Sequence, residues 1–334
     1  MPIQFSAVLS AMQEALNLAE TFVGATAPNP PVGAAALDSN GKILSVQAHQ
    51  RVGTPHAEAL VFADLMTHGL FDEAVELIVT LEPCNHTGRT PPCVEGILRS
   101  KVKRVIIGSP DPNPRVAGGG AEALKRAGLE VKFLSEFERD SRNPTFSRDS
   151  LLTSLAGCQK LIAPFTKLVT QGLPWVVIKT ALDHQGSMIP PTGQKTFTQN
   201  GSLLLAHKLR KRSDALLTGS GTILADAPEF TVRHVPDHPE RTRWLVVLDR
   251  RGRVSASWKN RAKLLGFQVI LLGSLEEGFA FLGRQGVLQV LVEAGPELSR
   301  SVLESSFWDE HVLIKQTLEF GKLRDTVEYV YRNH

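Results

Sequence analysis

The fold of this chain is decided by two short stretches, P-H-A-E at residues 55–58 and L-E-P-C-N-H-T-G-R-T-P-P-C at residues 81–93. His56, Cys84 and Cys93 offer one imidazole and two thiolates, which are ligands that Zn²⁺ binds tetrahedrally. A catalytic zinc site keeps one of its four positions for water, whereas a structural site is closed by protein ligands. Three ligands of these types therefore predict an open, catalytic zinc site.

Glu58 follows the predicted histidine ligand by two residues and is not needed as a ligand itself. A His-x-Glu pair, followed later by a Pro-Cys pair and a second Cys, is the signature of zinc-dependent deaminases. In such sites the carboxylate relays protons between the attacking water and the leaving amine. We therefore predict that Glu58 is the catalytic proton shuttle.

A closed structural zinc site is the alternative, and it would need a fourth protein ligand. His86 is the nearby candidate, because the chain has three cysteines and the third, Cys158, lies far from the motif. We favour the open site. His86 is then interpreted as a residue of the substrate loop or as a support for the ligands.

Further motifs surround these stretches. They are H-x-x-x-G-x-P-H-A-E at residues 49–58, A-P-N-P-P-V-G at residues 27–33 and D-P-N-P-R-V-A-G-G-G at residues 111–120. Together they resemble the deaminase half of the bifunctional riboflavin-biosynthesis deaminase/reductase family, and the G-R-T-P-P-C loop separates them from generic cytidine deaminases. The resemblance extends over nearly the whole chain.

The resemblance implies a cytidine-deaminase-like mixed sheet with helices on both faces, followed by a dihydrofolate-reductase-like α/β domain. The implied reaction is zinc-dependent hydrolytic deamination of a diaminopyrimidinone ribosyl phosphate, after which NADPH reduces the ribosyl chain to a ribityl chain. Zn²⁺ and NADPH are the implied cofactors. Asn29 and His49 are implied to hold the pyrimidine. For Asn29 the alternative is a turn residue held by local hydrogen bonds.

Length and charge limit the class of protein. At 334 residues the chain is long enough for two domains, each with its own core. The net charge of +3 is small, and the densest basic run, at residues 208–212, falls on a predicted helix. With aromatic residues at 6%, the chain lacks the clustered basic and aromatic surface of a nucleic-acid groove. We expect a small-molecule substrate and no nucleic-acid partner.

Cysteine use indicates a reducing compartment, and hydropathy predicts no membrane-spanning segment. Two of the 3 cysteines are predicted zinc ligands, which leaves Cys158 without a disulfide partner. No segment approaches the roughly 18 apolar residues of a membrane span, and the N-terminus lacks a signal-peptide pattern. We expect a cytoplasmic location and no membrane partner. The sequence leaves the oligomeric state open, and a homo-oligomer is compatible with it.

Apolar periodicity predicts alternating helices and strands in the first half of the chain. Helices are expected at residues 4–23, 57–66, 93–100 and 120–127, and strands at residues 32–38, 42–48, 77–81, 102–108 and 129–133. His56 and Cys93 would then lie at helix N-termini, where free backbone N–H groups favour a thiolate. We predict a zinc-dependent deaminase domain at residues 1–145.

The connection at residues 135–172 is about twenty residues longer than the resemblance leads us to expect, and residues 146–172 within it are predicted to be a linker or an inserted helix. The following domain is expected at residues 173–334. Its strands are predicted at residues 175–179, 215–218, 244–248, 269–272, 288–292 and 311–314, and its helices at residues 202–211, 275–283 and 296–304. This alternation predicts a largely parallel sheet.

Two glycine turns carry the predicted cofactor site of the second half. One is G-S-G at residues 219–221, within a longer match at residues 209–233, and the other is E-A-G-P-E-L-S at residues 293–299. Small residues at a helix start let backbone N–H groups approach a phosphate, although such turns also occur without any ligand. The second turn is equally explained as a helix start with Pro296 at its first position.

The resemblance assigns roles to residues in and around these turns. Those implied to contact NADPH are Ala181, Thr222, Asp226, Gly295, Pro296, Glu297, Leu298 and Ser299. Those implied to hold the substrate are Arg210, Phe230, Arg233 and Glu293. Arginine suits the ribose phosphate because its guanidinium binds phosphate with two hydrogen bonds.

Two departures from the family pattern concern the second half. Residues 183–187 read D-H-Q-G-S, where the family has S-L-D-G followed by a basic residue, and the connection after the last predicted strand is short. These departures favour, as the alternative, an active deaminase with a degenerate, non-catalytic reductase-like domain. A nucleic-acid deaminase and a structural zinc protein without catalysis are two further hypotheses.

Overall fold

The computed structural model describes residues 4–86, 91–114, 119–139, 148–191, 193–194 and 196–332. Residues 87–90 and 115–118, which belong to two of the quoted motifs, lie outside the described residues. The chain divides into two compact units, Met1–Thr170 and Gln171–His334. Among the described residues, no helix is both long and apolar enough to cross a membrane.

The first unit is built on a mixed sheet. Within the described residues its strands are β1 (Gly33–Leu37), β2 (Ile43–Ala48), β3 (Glu76–Leu81), β4 (Arg104–Ser109) and β5 (Glu130–Phe133). They lie in the order β2-β1-β3-β4-β5. Strand β1 runs antiparallel to both of its neighbours, whereas β3, β4 and β5 are parallel to one another. The predicted mixed sheet is confirmed.

Helices cover both faces of this sheet. They are α1 (Phe5–Glu20), α2 (Ala57–Thr67), α3 (Cys93–Leu98), α4 (Gly119–Arg126) and α5 (Arg148–Gln171). One core joins α2, α3 and α4 to the sheet residues Leu77 and Val79, and the other joins α1 and α5 to Ile78. Because alternate residues of a strand enter opposite cores, β3 is buried along its whole length. The predicted placement of helices on both faces is confirmed.

Helix α5 covers the region predicted to be a linker or an inserted helix. It packs on the same face of the sheet as α1, where the Cys158 thiol lies 3.7 Å from the Met12 sulfur. Strand β4 approaches it closely at Gly108, since a Cβ there would lie 2.4 Å from the Cys158 sulfur and 2.7 Å from the Thr80 carbonyl oxygen. The described residues of α5 therefore pack as part of the first unit.

The second unit has a largely parallel sheet, as predicted. Its strands in the described residues are β6 (Trp175–Leu182), β7 (Ala215–Gly219), β8 (Arg243–Leu248), β9 (Phe267–Leu272), β10 (Gln289–Val292), β11 (Glu310–Glu319) and β12 (Lys322–Tyr331). They lie in the order β12-β11-β6-β10-β7-β8-β9. Only β12 among them is antiparallel to its neighbour.

Helices pack on both faces of this sheet as well. They are α6 (Asn200–Arg212), α7 (Ser220–Asp226), α8 (Ala256–Leu264), α9 (Leu275–Arg284) and α10 (Pro296–Glu304). Strand residues alternate between two cores, with Leu216 in one and Leu217 in the other. Since β6 to β10 are parallel, the segments that follow these strands meet at one edge, which is where ligands bind in such sheets.

Two elements of the second unit were not predicted. Helix α8 buries only Ala262, so it leaves almost no apolar periodicity in the sequence. Strand β12 is exposed along nearly its whole length and carries charged residues between apolar ones. The expected short connection after the strand at residues 311–314 is a tight turn at Phe320 and Gly321, both with positive φ, between two ten-residue strands.

The packing of α5 on β4 predicts different effects for two Gly-to-Ala substitutions. Gly108→Ala should destabilise the first unit by about 1–3 kcal/mol, because the new methyl group overlaps the Cys158 sulfur of α5 and the Thr80 carbonyl oxygen of β3. Gly96→Ala is the matched control, since its Cβ would meet the Phe62 ring at 3.8 Å, an ordinary contact. Urea unfolding followed by circular dichroism measures both variants. Equal unfolding midpoints would contradict the close packing.

Candidate active sites

Three different elements deliver the predicted zinc ligands. His56 is the residue directly before α2, Cys84 lies in the segment after β3, and Cys93 is the first residue of α3. One ligand atom from each residue lies within 4.8 Å of the others. In the described part of the chain, no other group of three His, Cys, Asp or Glu side chains meets in this way, and His86 is outside the group.

The distances within this group fit a zinc ion. His56 Nδ1 lies 3.2 Å from the Cys93 sulfur and 3.6 Å from the Cys84 sulfur. With Zn–S at about 2.3 Å and Zn–N at about 2.0 Å, tetrahedral geometry places a nitrogen and a sulfur about 3.5 Å apart. One nitrogen and two sulfurs from the protein also leave the fourth position for water. The donor set and its spacing therefore fit a catalytic zinc site.

Hydrogen bonds favour negative charge on Cys84. The Cys93 thiol and the Cys93 backbone N–H both donate to the Cys84 sulfur, the latter at 3.3 Å, and together with His56 they lower the pKa of Cys84 to about 4. The pKa of Cys93 is raised by Cys84 and by burial, and that of His56 is raised chiefly by Cys84. The groups around Cys84 therefore favour its ionised form. Zinc binding requires both sulfurs to lose their protons.

Glu58 lies in the first turn of α2, beside the ligands but outside the group of three. Its side chain is 3% exposed, and burial raises the pKa of the carboxyl group. A buried carboxyl group next to three such ligands is the kind of group that can accept a proton and return it.

The two residues implied to hold the pyrimidine lie next to the ligands. His49 Nδ1 is 3.1 Å from the carbonyl oxygen of Pro55, so this nitrogen carries the proton and donates. His49 Nε2 therefore accepts from the Asn29 side-chain amide at 3.3 Å. Burial lowers the pKa of His49, and its ring lies 5.3 Å from that of His56. Asn29 and a neutral His49 thus form one wall beside the ligand group.

The second unit contains a cleft of about 1700 Å³ at the carboxyl edge of its parallel strands. It is lined by most of the residues that the resemblance assigned to cofactor and substrate, namely Ala181, Arg210, Thr222, Asp226, Phe230, Arg233, Glu293, Gly295, Pro296, Glu297 and Leu298. Ser299 is not among the lining residues. Its hydroxyl donates to the Ala294 carbonyl oxygen at 3.1 Å, so this hydrogen bond connects α10 to the residues that precede it.

Glu293, directly after β10, is the buried charge at the centre of this cleft. Arg210 donates to both of its carboxylate oxygens at 2.7 Å, and the Lys179 ammonium lies 4.0 Å away. Burial opposes ionisation of Glu293, but Arg210 and Lys179 outweigh it and lower the pKa to about 2. Arg210 also lies over the Phe230 ring, with 5.9 Å between the guanidinium carbon and the ring centroid. The cleft therefore presents a fixed, ionised carboxylate.

The two glycine turns are joined directly. The Thr222 hydroxyl accepts a hydrogen bond from the Gly295 backbone N–H at 3.0 Å. Gly219 keeps them close, because a Cβ at this position would lie 3.2 Å from the Leu298 side chain. Asp226 is exposed at the end of α7. The starts of α7 and α10 therefore form one continuous wall of the cleft.

Arg233 is exposed at the cleft, and both its side chain and its backbone N–H form hydrogen bonds. Its guanidinium donates to Glu229 and to the Thr231 hydroxyl, each at 2.8 Å. Its backbone N–H donates to His207 Nδ1 at 3.0 Å, and burial lowers the pKa of His207 to about 4, so this histidine is neutral. Phe230, in the same segment, is buried and has a positive φ of 56°.

The segment that departs from the family pattern forms a closed turn after β6. Asp183 accepts hydrogen bonds from the backbone N–H groups of Gln185 and Ser187, and its own N–H donates to the Ser187 carbonyl oxygen. Among the described residues that line the cleft, Met188 and Ile189 are included and residues 183–187 are not. The lost basic residue therefore falls in a turn that is outside the cleft lining.

Several cleft residues were missed by the sequence analysis. Lys179 points toward Glu293 from β6, and Arg250, Arg251 and Arg253 follow β8 and line the cleft. Arg253 donates to the Ser220 hydroxyl at 2.9 Å. In the sequence, the feature that could have indicated these residues is the group of three arginines that follows the predicted strand at residues 244–248. In the first unit, Glu82 of the L-E-P-C motif was missed as a side chain that binds three backbone N–H groups.

Comparisons with known proteins agree with this geometry. Residues 6–109 match the family model of the cytidine and deoxycytidylate deaminase zinc-binding region, and residues 174–327 match that of the RibD C-terminal domain. The riboflavin biosynthesis protein RibD of Aquifex aeolicus is 33% identical over 325 residues, which cover 90% of this chain and 85% of that protein. RibD of Bacillus amyloliquefaciens is 34% identical, with 90% and 81% covered.

Solved structures lead to the same family. RibD of Acinetobacter baumannii superposes with a TM-score of 0.78 at 29% identity, covering 96% of this chain and 89% of that one. A diaminohydroxyphosphoribosylaminopyrimidine deaminase/5-amino-6-(5-phosphoribosylamino)uracil reductase of Thermotoga maritima superposes with a TM-score of 0.77 at 29% identity, covering 95% and 88%. With its zinc-type deaminase unit followed by a reductase unit, the chain belongs to the RibD family of riboflavin biosynthesis proteins.

Proposed function

We propose that this enzyme deaminates a diaminopyrimidinone ribosyl phosphate in its first unit and reduces the ribosyl chain of the product in its second. The observation that carries the proposal is the group of His56, Cys84 and Cys93 with the buried, non-ligand Glu58 beside it. The cleft around Glu293 supports the reductive step. A boundary near residue 170 is proposed for the two domains, because α5 packs with the first unit.

Bound zinc supplies an activated water in the deamination. Glu58 would take up a proton at its carboxyl group while water adds to C2 of the pyrimidinone, and it would return a proton to the departing amino group. The C2–O bond forms, the C2–N bond breaks, and ammonia leaves. Asn29 and His49 orient the ring, since the Asn29 amide oxygen remains available to accept from a pyrimidine N–H.

Bound NADPH supplies the hydride in the reduction. The ionised Glu293, held by Arg210, accepts hydrogen bonds from hydroxyl groups of the ribosyl chain. Arg233 binds the substrate phosphate, because its guanidinium is exposed at the cleft. Thr222 and residues 295–298, which line the cleft at the starts of α7 and α10, would hold the cofactor.

The loop after β8 binds the cofactor phosphate that distinguishes NADPH from NADH. Arg250 and Arg251 line the cleft, are exposed, and have no hydrogen-bond or ion-pair partner among the described residues. Asp249 holds the loop by accepting from the backbone N–H groups of Arg253 and Val254, at 3.0 and 2.8 Å. Two such guanidinium groups on an ordered loop are suited to bind a phosphate ester.

The role of Glu58 is tested with the natural substrate, in assays that follow ammonia and the ribityl product separately. Glu58→Gln should retain about one zinc per chain yet release ammonia at least ~10²-fold more slowly, because it cannot exchange protons. Cys84→Ser should lose zinc and deamination together. Given deaminated product and NADPH, Glu58→Gln should form the ribityl product normally, since the reductive site lies in the other unit.

Two outcomes would contradict parts of this proposal. Normal ammonia release by Glu58→Gln would exclude it as the proton shuttle. Formation of ammonia without any ribityl product, in the unmodified enzyme with NADPH, would mean that the second unit is a degenerate, non-catalytic domain.

The arginine loop predicts a selective effect on cofactor affinity. Replacing both Arg250 and Arg251 with Ala should raise the Kd for NADPH about 10- to 100-fold, because charge-assisted hydrogen bonds to a phosphate are lost. The Kd for NADH should stay unchanged. Arg324→Ala, on the exposed strand β12, is the control. Fluorescence titration measures both cofactors with the unmodified and variant proteins, and equal losses for NADPH and NADH would refute this assignment.

We also propose self-association through β12. This strand is the outer strand of its sheet and exposes apolar side chains, among them Val327, Tyr329, Val330 and Tyr331. The Gln199 side chain bonds the Leu323 carbonyl oxygen and the Asp325 backbone N–H, and beyond these two residues an outer strand edge of this kind pairs readily with a second copy. Analytical ultracentrifugation should detect a dimer that Tyr329→Lys weakens, and a monomer at micromolar concentration would contradict it.

A cytoplasmic location is proposed as well, because thiolate ligands and NADPH both require a reducing compartment. Recovery of the enzyme in a membrane or secreted fraction would contradict this location.

A further inference from the structure

Glu82 is a buried carboxylate that the deamination chemistry does not use. It lies between the end of β3 and Pro83, and its residue is 5% exposed. One carboxylate oxygen accepts from the backbone N–H groups of Gly120 and Ala121, at 3.1 and 3.0 Å. The other accepts from the Asp111 backbone N–H at 3.2 Å. A single side chain therefore connects three separate segments of the first unit.

The same segment is tied to α4 in two further ways. A Cβ at Gly120 would lie 1.9 Å from the Pro83 carbonyl oxygen, so only glycine permits this approach. The Asn85 side-chain amide donates to the Gly119 carbonyl oxygen at 3.1 Å. Cys84 lies between these contacts, two residues after Glu82, in a segment without regular secondary structure. The N-terminus of α4 thus holds the backbone on both sides of a zinc ligand.

We infer that Glu82 is the positioning residue of the zinc site and that it sets where the Cys84 sulfur lies relative to His56 and Cys93. Strand β3 ends at Leu81, and the Glu82 backbone N–H still donates to the Ser109 carbonyl oxygen at 2.9 Å. Past that bond the chain leaves the sheet. Its direction at Cys84 then depends on the contacts with α4 and on the start of α3, where the Val94 backbone N–H donates to the Cys84 carbonyl oxygen at 3.2 Å. The inference rests on the zinc site of the proposed function. It adds that Glu82 supports the site without touching metal, water or substrate.

A purely structural role would make Glu82 equivalent to other buried carboxylates. Glu76, at the start of the same strand, is the matched comparison, because it is 1% exposed and binds Arg104 with two hydrogen bonds of 2.6 and 2.7 Å. Removing either carboxylate should destabilise the unit. Only the change at Glu82 should alter the metal site, because Glu76 lies at the opposite end of β3 from Cys84.

The test compares Glu82→Gln with Glu76→Gln in the full-length protein. The side-chain NH₂ group of glutamine cannot accept hydrogen bonds, so at least one of the three N–H groups loses its partner. We expect the Kd for Zn²⁺, measured by chelator competition, to rise about 10- to 100-fold in Glu82→Gln, as for other residues that orient metal ligands. With Co²⁺ in place of zinc, its visible absorption bands should shift in this variant. Glu76→Gln should bind both metals like the unmodified protein.

A second variant keeps the test decisive if Glu82→Gln does not fold. Glu82→Asp retains the charge but is shorter by one methylene, so we expect an intermediate Kd for Zn²⁺ and a smaller Co²⁺ shift. Unchanged metal binding in the Glu82 variants would overturn the inference, and so would equal losses in Glu76→Gln. An unmodified protein that binds no zinc would instead contradict the proposed function, so the two failures are distinguishable.

Discussion

A hydrogen bond of 3.3 Å from the Cys93 backbone N–H, at the start of α3, to the Cys84 sulfur joins two of the three chain segments that meet at the ligand group. The ligands come from residues far apart in the chain, yet each must arrive within bonding distance of one ion. This demand explains the arrangement around β3. Its burial on both faces fixes the strand, the start of α2 supplies His56, and Glu82 anchors the segment that carries the second ligand.

The second unit depends on a comparable contact, the pair between Arg210 and Glu293. Burying two charges costs more than their attraction returns unless the geometry is close, and here both carboxylate oxygens are bound at 2.7 Å. The Glu293 carboxylate stays ionised inside the cleft because the positive charges of Arg210 and Lys179 stabilise its ionised form. Such a pair is a poor way to stabilise a fold but a good way to present a fixed charge to a polar substrate.

Both units place their chemistry where strands end and helices begin. In the first unit Cys84 follows β3 and Cys93 begins α3, and in the second unit Glu293 follows β10 and lies just before α10. Ends of parallel strands lie side by side, and helix starts leave backbone N–H groups unpaired. The same two properties thus place the three candidate zinc ligands in one unit and the cleft around Glu293 in the other, which lets a single chain hold two unrelated reactions.

The sequence by itself determined the ligand types, the carboxylate beside them and the alternation of strands and helices in both halves. These features are local, because a motif keeps its spacing and a buried element keeps its apolar period. Only the tertiary structure decided which partners Glu82 and Arg210 bind, that Ser299 faces away from the cleft and that Arg250 faces into it. Such contacts join residues far apart in the chain, as with Arg210 and Glu293, which are 83 positions apart, so no local pattern encodes them. Strand β12 was missed for a related reason, since an exposed strand buries too little to impose a period on its sequence.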